Sequence, residues 1–286
     1  MDAFVFPGQG SQHRGMGGEL FDSTEFQTYE EAADRLLGYS LRQICLENPN
    51  NVLKETQYTQ PCLYAVNALN YYKACAEGRR PSYLAGHSLG EYNALLAADA
   101  FDFITGLQLV TKRGALMAQA KDGAMAAVIG LTSDRLTAVL QQHKLTRVDI
   151  ANYNAPKQIV ISGPADDIAS AKPLFEKAGA QIYFPLPVSA AFHSRQMTAA
   201  AAAFSDFLDT FAFDRLKISV ISNVTGEPYP DGDPTTTVRS LLVKQIVSPV
   251  QWLQTIQFLM GKGVQHFSEL GPGNVLSRLI LQIKAN

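Results

Sequence analysis

Gly86-His87-Ser88-Leu89-Gly90 sets a serine between two glycines, where an apolar run ends and an alanine- and leucine-rich run begins. In a G-x-S-x-G turn between strand and helix, small flanking residues let the backbone bend sharply and lift the serine hydroxyl clear of the sheet. The N–H of the following residue, Leu89, then faces any oxyanion formed at that hydroxyl. The same short pattern also occurs in glycine-rich turns without chemistry, so its context has to decide.

A serine hydroxyl near neutral pH needs a base, and histidine is the usual one. The chain has five histidines. His87 precedes the serine, where alternate residues point to opposite sides, and is better placed as packing support. His143 sits at the polar end of an expected helix, His13 in a Gly/Ser/Arg loop, and His266 beside a late strand. His193 differs: it follows Phe192 in a non-periodic stretch with no packing pattern to account for it. It is the candidate base. Asp99, Asp102, Asp149, Asp166 and Asp167 lie between Ser88 and His193, but none falls at an obvious strand end. A backbone carbonyl that accepts the imidazole N–H could fix the tautomer in place of an acid.

Arg113 is the third residue with chemical promise. Over 103–118 the sequence reads as a helix on which Phe103, Leu107, Val110, Gly114 and Met117 share one face, and Arg113 falls inside that apolar arc while Lys112 projects away from it. A guanidinium on a core-facing surface is costly unless paired, and its planar fork suits a carboxylate held bidentately. An internal salt bridge and a substrate carboxylate both satisfy that requirement.

The elements that must position these residues read as an α/β fold. Ala3–Phe6 is a buried strand that stops at Pro7-Gly8-Gln9-Gly10, a tight loop whose polar side chains can face a site. Helical stretches follow over 30–37, 41–47 and 61–76. Ser82–Ala85 is the strand feeding the serine, and a helix over 91–98 leaves it. From Met125 to Val188 the texture changes to strands at 125–130, 148–152, 158–162 and 181–187, with helices from Ser133 to His143 and from Asp166 to Ala178. That β-α-β-β-α-β order is the split βαβ signature of a ferredoxin-like unit. The expected organisation is a large α/β-hydrolase-like domain with a parallel sheet, residues 1–122 and 189–286, carrying a ferredoxin-like subdomain at 123–188. The remainder reads as helix after the alanine run 199–203, strand at 218–221, helix at 238–246, a helix opening at Ser248-Pro249 and running to Met260, strand at 266–270 and a closing helix.

Composition bounds the function. At 286 residues, 47% hydrophobic and 17% charged, the chain can bury a core. A net charge of −2 gives no electrostatic reason to expect nucleic acid or an anionic membrane as main partner. Cys45, Cys62 and Cys75 form no C-x-x-C pair and read as free thiols, no metal-ligand spacing is present, and no run reaches membrane-helix length. A cytoplasmic location is expected, with no metal and no cofactor.

Taken together, Phe6-Pro7-Gly8-Gln9-Gly10-Ser11-Gln12, Thr59-Gln60-Pro61, Gly86–Glu91, Arg113-Gly114, Phe192-His193, Ser248-Pro249-Val250-Gln251-Trp252 and Gly271-Pro272-Gly273 span the chain. In that order they resemble malonyl-CoA:acyl carrier protein transacylases, and among them the freestanding acyltransferases that serve polyketide synthases in trans. The resemblance implies that Ser88 attacks the thioester of malonyl-CoA with His193 as base, that the N–H groups of Gln9 and Leu89 form an oxyanion hole, and that Arg113 holds the malonyl carboxylate. It further implies that Gln251 orients the histidine through its main-chain carbonyl, that Gln60 and Asn154 lie near the site, and that Phe192 crowds an α-methyl group and so favours malonyl. Malonyl-CoA and an acyl carrier protein are the implied partners, and a monomer the implied state. Lys112, Arg135, Lys157, Arg195 and Lys244 are candidates for a positive rim facing an acidic carrier. An editing hydrolase, a general serine esterase and a carrier-docking protein without turnover are the competing readings.

Overall fold

The computed structural model describes residues 1–285; residue 286, the last of the expected large domain, lies outside them. The chain opens with β1 (Asp2–Phe6), followed by α1 (Thr24–Leu37), α2 (Leu41–Glu47) and α3 (Thr56–Ala76). Then come β2 (Tyr83–Gly86), α4 (Gly90–Ala97) and α5 (Phe103–Ala118). The middle of the chain holds β3 (Gly123–Ile129), α6 (Ser133–Gln142), β4 (Asp149–Ala155), β5 (Gln158–Pro164), α7 (Ala165–Lys177) and β6 (Ile182–Pro185). It closes with α8 (Thr198–Leu208), β7 (Ser219–Ile221), α9 (Pro234–Val247), α10 (Trp252–Gly261), β8 (His266–Glu269) and α11 (Val275–Lys284).

Two four-stranded sheets result. The first, in the order β7-β2-β1-β8, is parallel throughout. Parallel strands need helical crossovers that cover both faces. On one side α3, α4 and α5 pack into the main core, and on the other Trp252, Ile256, Leu279 and Ile280 of α10 and α11 cover Ala3, Val5, Ala85 and Ile221. Helix α4 is buried at every position, so its sequence carries no amphipathic stripe, and its Glu91 and Asn93 are drawn into the interior with it.

The second sheet runs β4-β5-β3-β6 with antiparallel neighbours, which is the strand order of a ferredoxin-like unit. Alternation along β3 divides its side chains between two cores. Ala126 and Val128 pack under α6 and α7 with Leu136, Ile168 and Phe175, whereas Met125 and Ala127 face the main core.

The structure departs from expectation at Ser248–Gln251. These residues do not open a helix. Ser248 is extended, as the residue before a proline prefers to be, a geometry that would also suit an N-cap, so the cause lies at Val250. Val250 instead bridges to Asn152, with Tyr153 N–H donating to Val250 O at 2.9 Å and Val250 N–H donating to Ala151 O at 2.9 Å. This segment joins the second sheet to the body that carries the first, and α10 starts only at Trp252. Helix α6 is capped by Thr132, whose side chain accepts from Arg135 N–H.

The turn after β2 explains the glycines around the serine. Ser88 lies at φ 51°, in the left-handed region that costs a side chain about 1–2 kcal/mol. A Cβ on Gly86 would fall 1.9 Å from Gly90 C, and one on Gly90 would fall 2.0 Å from Phe6 O. Both contacts are with backbone, which cannot rotate away. Gly86→Ala and Gly90→Ala are therefore expected to lose about 3 kcal/mol or more of stability, read as a fall in denaturation midpoint. Gly38→Ala, with open space around its Cβ, should cost only the smaller penalty of its left-handed φ of 76°.

Candidate active site

Ser88 and His193 are brought together from residues far apart in sequence. Ser88 Oγ lies 2.8 Å from His193 Nε2, and His193 Nδ1 lies 2.9 Å from the main-chain carbonyl of Gln245. A carbonyl only accepts, so Nδ1 carries the proton and Nε2 is free to accept from the serine hydroxyl. No carboxylate is needed to set the tautomer.

The orienting carbonyl belongs to Gln245 and not to Gln251, and the reason lies in the helices. Gln245 sits in the last turn of α9, where carbonyls lack the usual i+4 partner; it accepts only a long bond from the Ser248 N–H at 3.4 Å and keeps room for the imidazole. Gln251 stands at the N-terminus of α10, and its carbonyl accepts the Thr255 N–H at 2.9 Å to close the first helical turn. Its N–H is likewise committed, donating to Asn223 O at 2.8 Å. Gln251 supports the loop behind the site and does not touch the imidazole.

Arg113 is almost fully buried and pairs with no carboxylate among the described residues. Its Nη1 donates to Gln60 Oε1 at 2.8 Å, and its Nη2 donates to Gln245 Oε1 at 2.9 Å and to Ser88 Oγ at 3.1 Å. Tyr92 lies beneath, its ring centroid 5.5 Å from the guanidinium carbon, and Nε has no hydrogen-bond partner. The internal salt bridge that would have satisfied the cation is absent there. What remains is a buried positive fork resting on neutral acceptors, with one arm on the serine oxygen.

Gln60 thus enters as a support for Arg113. The Gln9 loop runs directly beside the serine turn: a Cβ on Gly8 would fall 2.4 Å from His87 O and 3.7 Å from Leu89 N. Gln9 Nε2 donates to Thr56 Oγ1 at 3.3 Å. A cavity of about 100 Å³ lies over Ser88, lined among others by Gln9, Leu89, Arg113, Phe192 and His193, with Met117, Met125 and Val188 giving it an apolar wall. The N-terminus of α4 opens immediately after the serine and points its positive end at the same space.

His87 does serve as support. Its Nε2 lies 2.8 Å from Asn154 Oδ1 on β4, and its ring packs edge-on to Trp252 with centroids 5.6 Å apart. Asn154 therefore contacts the turn and not the reacting hydroxyl. Of the expected rim, Arg195 is taken up by Asp149 at 3.0 Å and Lys112 lies over the Phe207 ring at 5.6 Å. Among the described residues no three His, Cys, Asp or Glu side chains gather as a metal site, and no helix is long and apolar enough to cross a membrane.

Two residues escaped the sequence reading. Asn223 Oδ1 accepts the Ser88 N–H and its Nδ2 donates to Gly86 O, both at 2.6 Å, clamping the strained turn from outside. It lies in a Ser/Asn/Thr loop whose composition marks a turn and nothing more. Gln245 did leave a signal: like Arg113, it is a polar residue inside an apolar helical face, next to Ile246 and Leu242.

Comparison with known proteins agrees with this geometry. The model of the acyl transferase domain family matches residues 3–283. The polyketide biosynthesis malonyl CoA-acyl carrier protein transacylase BaeC of Bacillus velezensis is 52% identical over 99% of this chain and 97% of its own length. This chain belongs to the malonyl CoA-acyl carrier protein transacylase family. A crystal structure of the transacylase from Burkholderia pseudomallei superposes with a TM-score of 0.94 at 47% identity, covering 100% of this chain and 98% of that one. A malonyl-transacylase solved in complex with its type II PKS acyl-carrier protein superposes with a TM-score of 0.92 at 34% identity, covering 99% of this chain and 92% of that one.

Burial first, and the Arg113 charge second, lower the pKa of His193 from 6.5 to about 3. The imidazole is thus a neutral base throughout the ordinary pH range. Because the unfolded chain binds that proton more readily, His193 makes stability rise with pH between about 3 and 6.5, and the penalty is gone above that window. Inactivation by a neutral serine-directed phosphonofluoridate should therefore keep its rate well below pH 6. Arg113→Met should move the acid limb of that profile upward, and an unchanged limb would remove Arg113 from the control of His193.

Proposed function

We propose that the chain moves a malonyl group from malonyl-CoA to the phosphopantetheine thiol of an acyl carrier protein through an ester on Ser88, in the service of polyketide synthesis. The observation that carries this reading is Arg113. A guanidinium buried beside the nucleophile, with only neutral acceptors, calls for a carboxylate from outside, and malonyl supplies one while acetyl does not.

In the first half-reaction His193 Nε2 takes the Ser88 proton as Oγ adds to the thioester carbonyl. The oxyanion meets the N–H groups of Leu89 and Gln9 at the positive end of α4. Collapse breaks the C–S bond, and the proton on Nε2 passes to the departing CoA thiolate. In the second half-reaction His193 deprotonates the carrier thiol, which attacks the seryl ester, and the proton returns to Ser88. Gln245, not Gln251, holds Nδ1 throughout. One thioester replaces another without any change of oxidation state, so the proposal includes no metal or cofactor.

The similarity to transacylases of polyketide biosynthesis supports the pathway, and the structure solved with a carrier supports the acceptor. The reading takes a monomer as the working unit. Three free thiols, Cys45, Cys62 and Cys75, support a cytoplasmic location.

Intact-mass measurement after mixing with malonyl-CoA should reveal a malonyl adduct on the wild type that is missing from Ser88→Ala and is discharged by a holo-carrier. Free malonate appearing without loaded carrier would instead support an editing hydrolase. Arg113→Ala should lower kcat/KM for malonyl-CoA by about a hundredfold, the worth of a charge-assisted pair, and affect acetyl-CoA far less. Phe192→Ser should raise loading from methylmalonyl-CoA relative to malonyl-CoA.

A further inference from the structure

Glu91 is fully buried in the first turn of α4 and has no part in the exchange described above. Its Oε1 accepts from the Asn223 N–H at 3.1 Å and from the Tyr229 hydroxyl at 2.7 Å, and its Oε2 accepts from Gln245 Nε2. The same Nε2 donates to the Ser88 carbonyl at 2.9 Å, which leaves Gln245 Oε1 to accept from Arg113 Nη2 at 2.9 Å. Arginine only donates and a carbonyl only accepts, so this orientation of the Gln245 amide is fixed by its partners.

We infer that Glu91 is a positioning residue that acts through the Gln245 amide to hold the Arg113 fork for the acyl carboxylate, and so helps to select malonyl over acetyl. The inference rests on the malonyl-transfer reading. Three donors converge on Glu91, and an ionised carboxylate accepts from all of them at once. Burial, opposed by the bonds from Tyr229, Asn223 and Gln245 and by the charge of Arg113, leaves its pKa raised to about 7.

The isosteric amide leaves one pair of donors facing each other in either orientation. In Glu91→Gln, if Oε1 keeps Asn223 and Tyr229, the new NH₂ faces the NH₂ of Gln245. If the new amide turns over, its NH₂ faces the Asn223 N–H. In the first case Gln245 is driven to rotate, its Nε2 meets Arg113 Nη2, and two donors collide where an acceptor had steadied the fork. The main-chain carbonyl of Gln245 is held by α9 and stays on His193, so serine activation survives. An acyl group that needs only Ser88 and His193 is affected less than one that needs Arg113.

The test is the ratio of kcat/KM for malonyl-CoA to that for acetyl-CoA, read by acyl-enzyme formation in the full chain. Glu91→Gln should lower the ratio by about tenfold or more, the scale of one unmade buried hydrogen bond. Tyr229→Phe removes a different bond from the same carboxylate but leaves the contact with Gln245, and should keep the ratio while losing comparable thermal stability. Should Glu91→Gln fail to fold, Gln245→Leu, which deletes the amide and keeps the carbonyl, should lower the ratio in the same direction. An unchanged ratio in the folded variants, or a raised one that marked Glu91 as a brake on carboxylate binding, would overturn the inference. Wild type that forms no malonyl adduct would instead overturn the malonyl-transfer reading.

Discussion

A positive charge held out of water beside a nucleophile is the constraint from which the rest of the site follows. Desolvating a guanidinium is expensive, and a buried carboxylate in direct contact would have been the simplest remedy. That remedy would also have closed the site. Arg113 rests instead on the amide oxygens of Gln60 and Gln245 and on the Tyr92 ring, partners that stabilise the cation and leave its charge uncancelled at the cavity. The buried carboxyl group nearest it in this network, Glu91, stands one amide away. The same field depresses the basicity of His193, so that one residue shapes both substrate choice and the protonation state of the base.

The second requirement is clearance. The serine turn is passable only because Gly86, Gly90 and Gly8 permit backbone contacts that no side chain would allow, and the strain at Ser88 is held by Asn223 on one side and Gln245 on the other. Those two residues come from the last third of the chain. The turn is written locally, but it is maintained from a distance.

This division explains what could be read in the sequence and what could not. The strand–turn–helix around Ser88, the apolar face that drew Arg113 inward and the alternating texture of the inserted unit are local patterns, and each element lies within a few residues of its expected place. His193 was identifiable because no packing pattern explained it. The resemblance points to the carbonyl of Gln251, six residues beyond the one that holds the imidazole, and side-chain type cannot correct it, because every residue has a carbonyl. Only the end of α9 decides it. The Ser248–Gln251 segment has a related cause: an extended Ser248 before Pro249 suits a helix start, but the pairing of Val250 with Asn152 holds the following residues in a bridge instead. Asn223 had no local signature at all.

The place of β1 between β2 and β8 has a further consequence, for the birth of the molecule. Strand β1 acquires its second neighbour only when residues 266–269 have been made, more than 250 residues after it. Until then an apolar strand keeps an open edge of the kind that recruits other chains. His193 and the Gln245 carbonyl are also late arrivals, so the nascent protein can present its serine long before it can activate it. Such long-range closure slows folding.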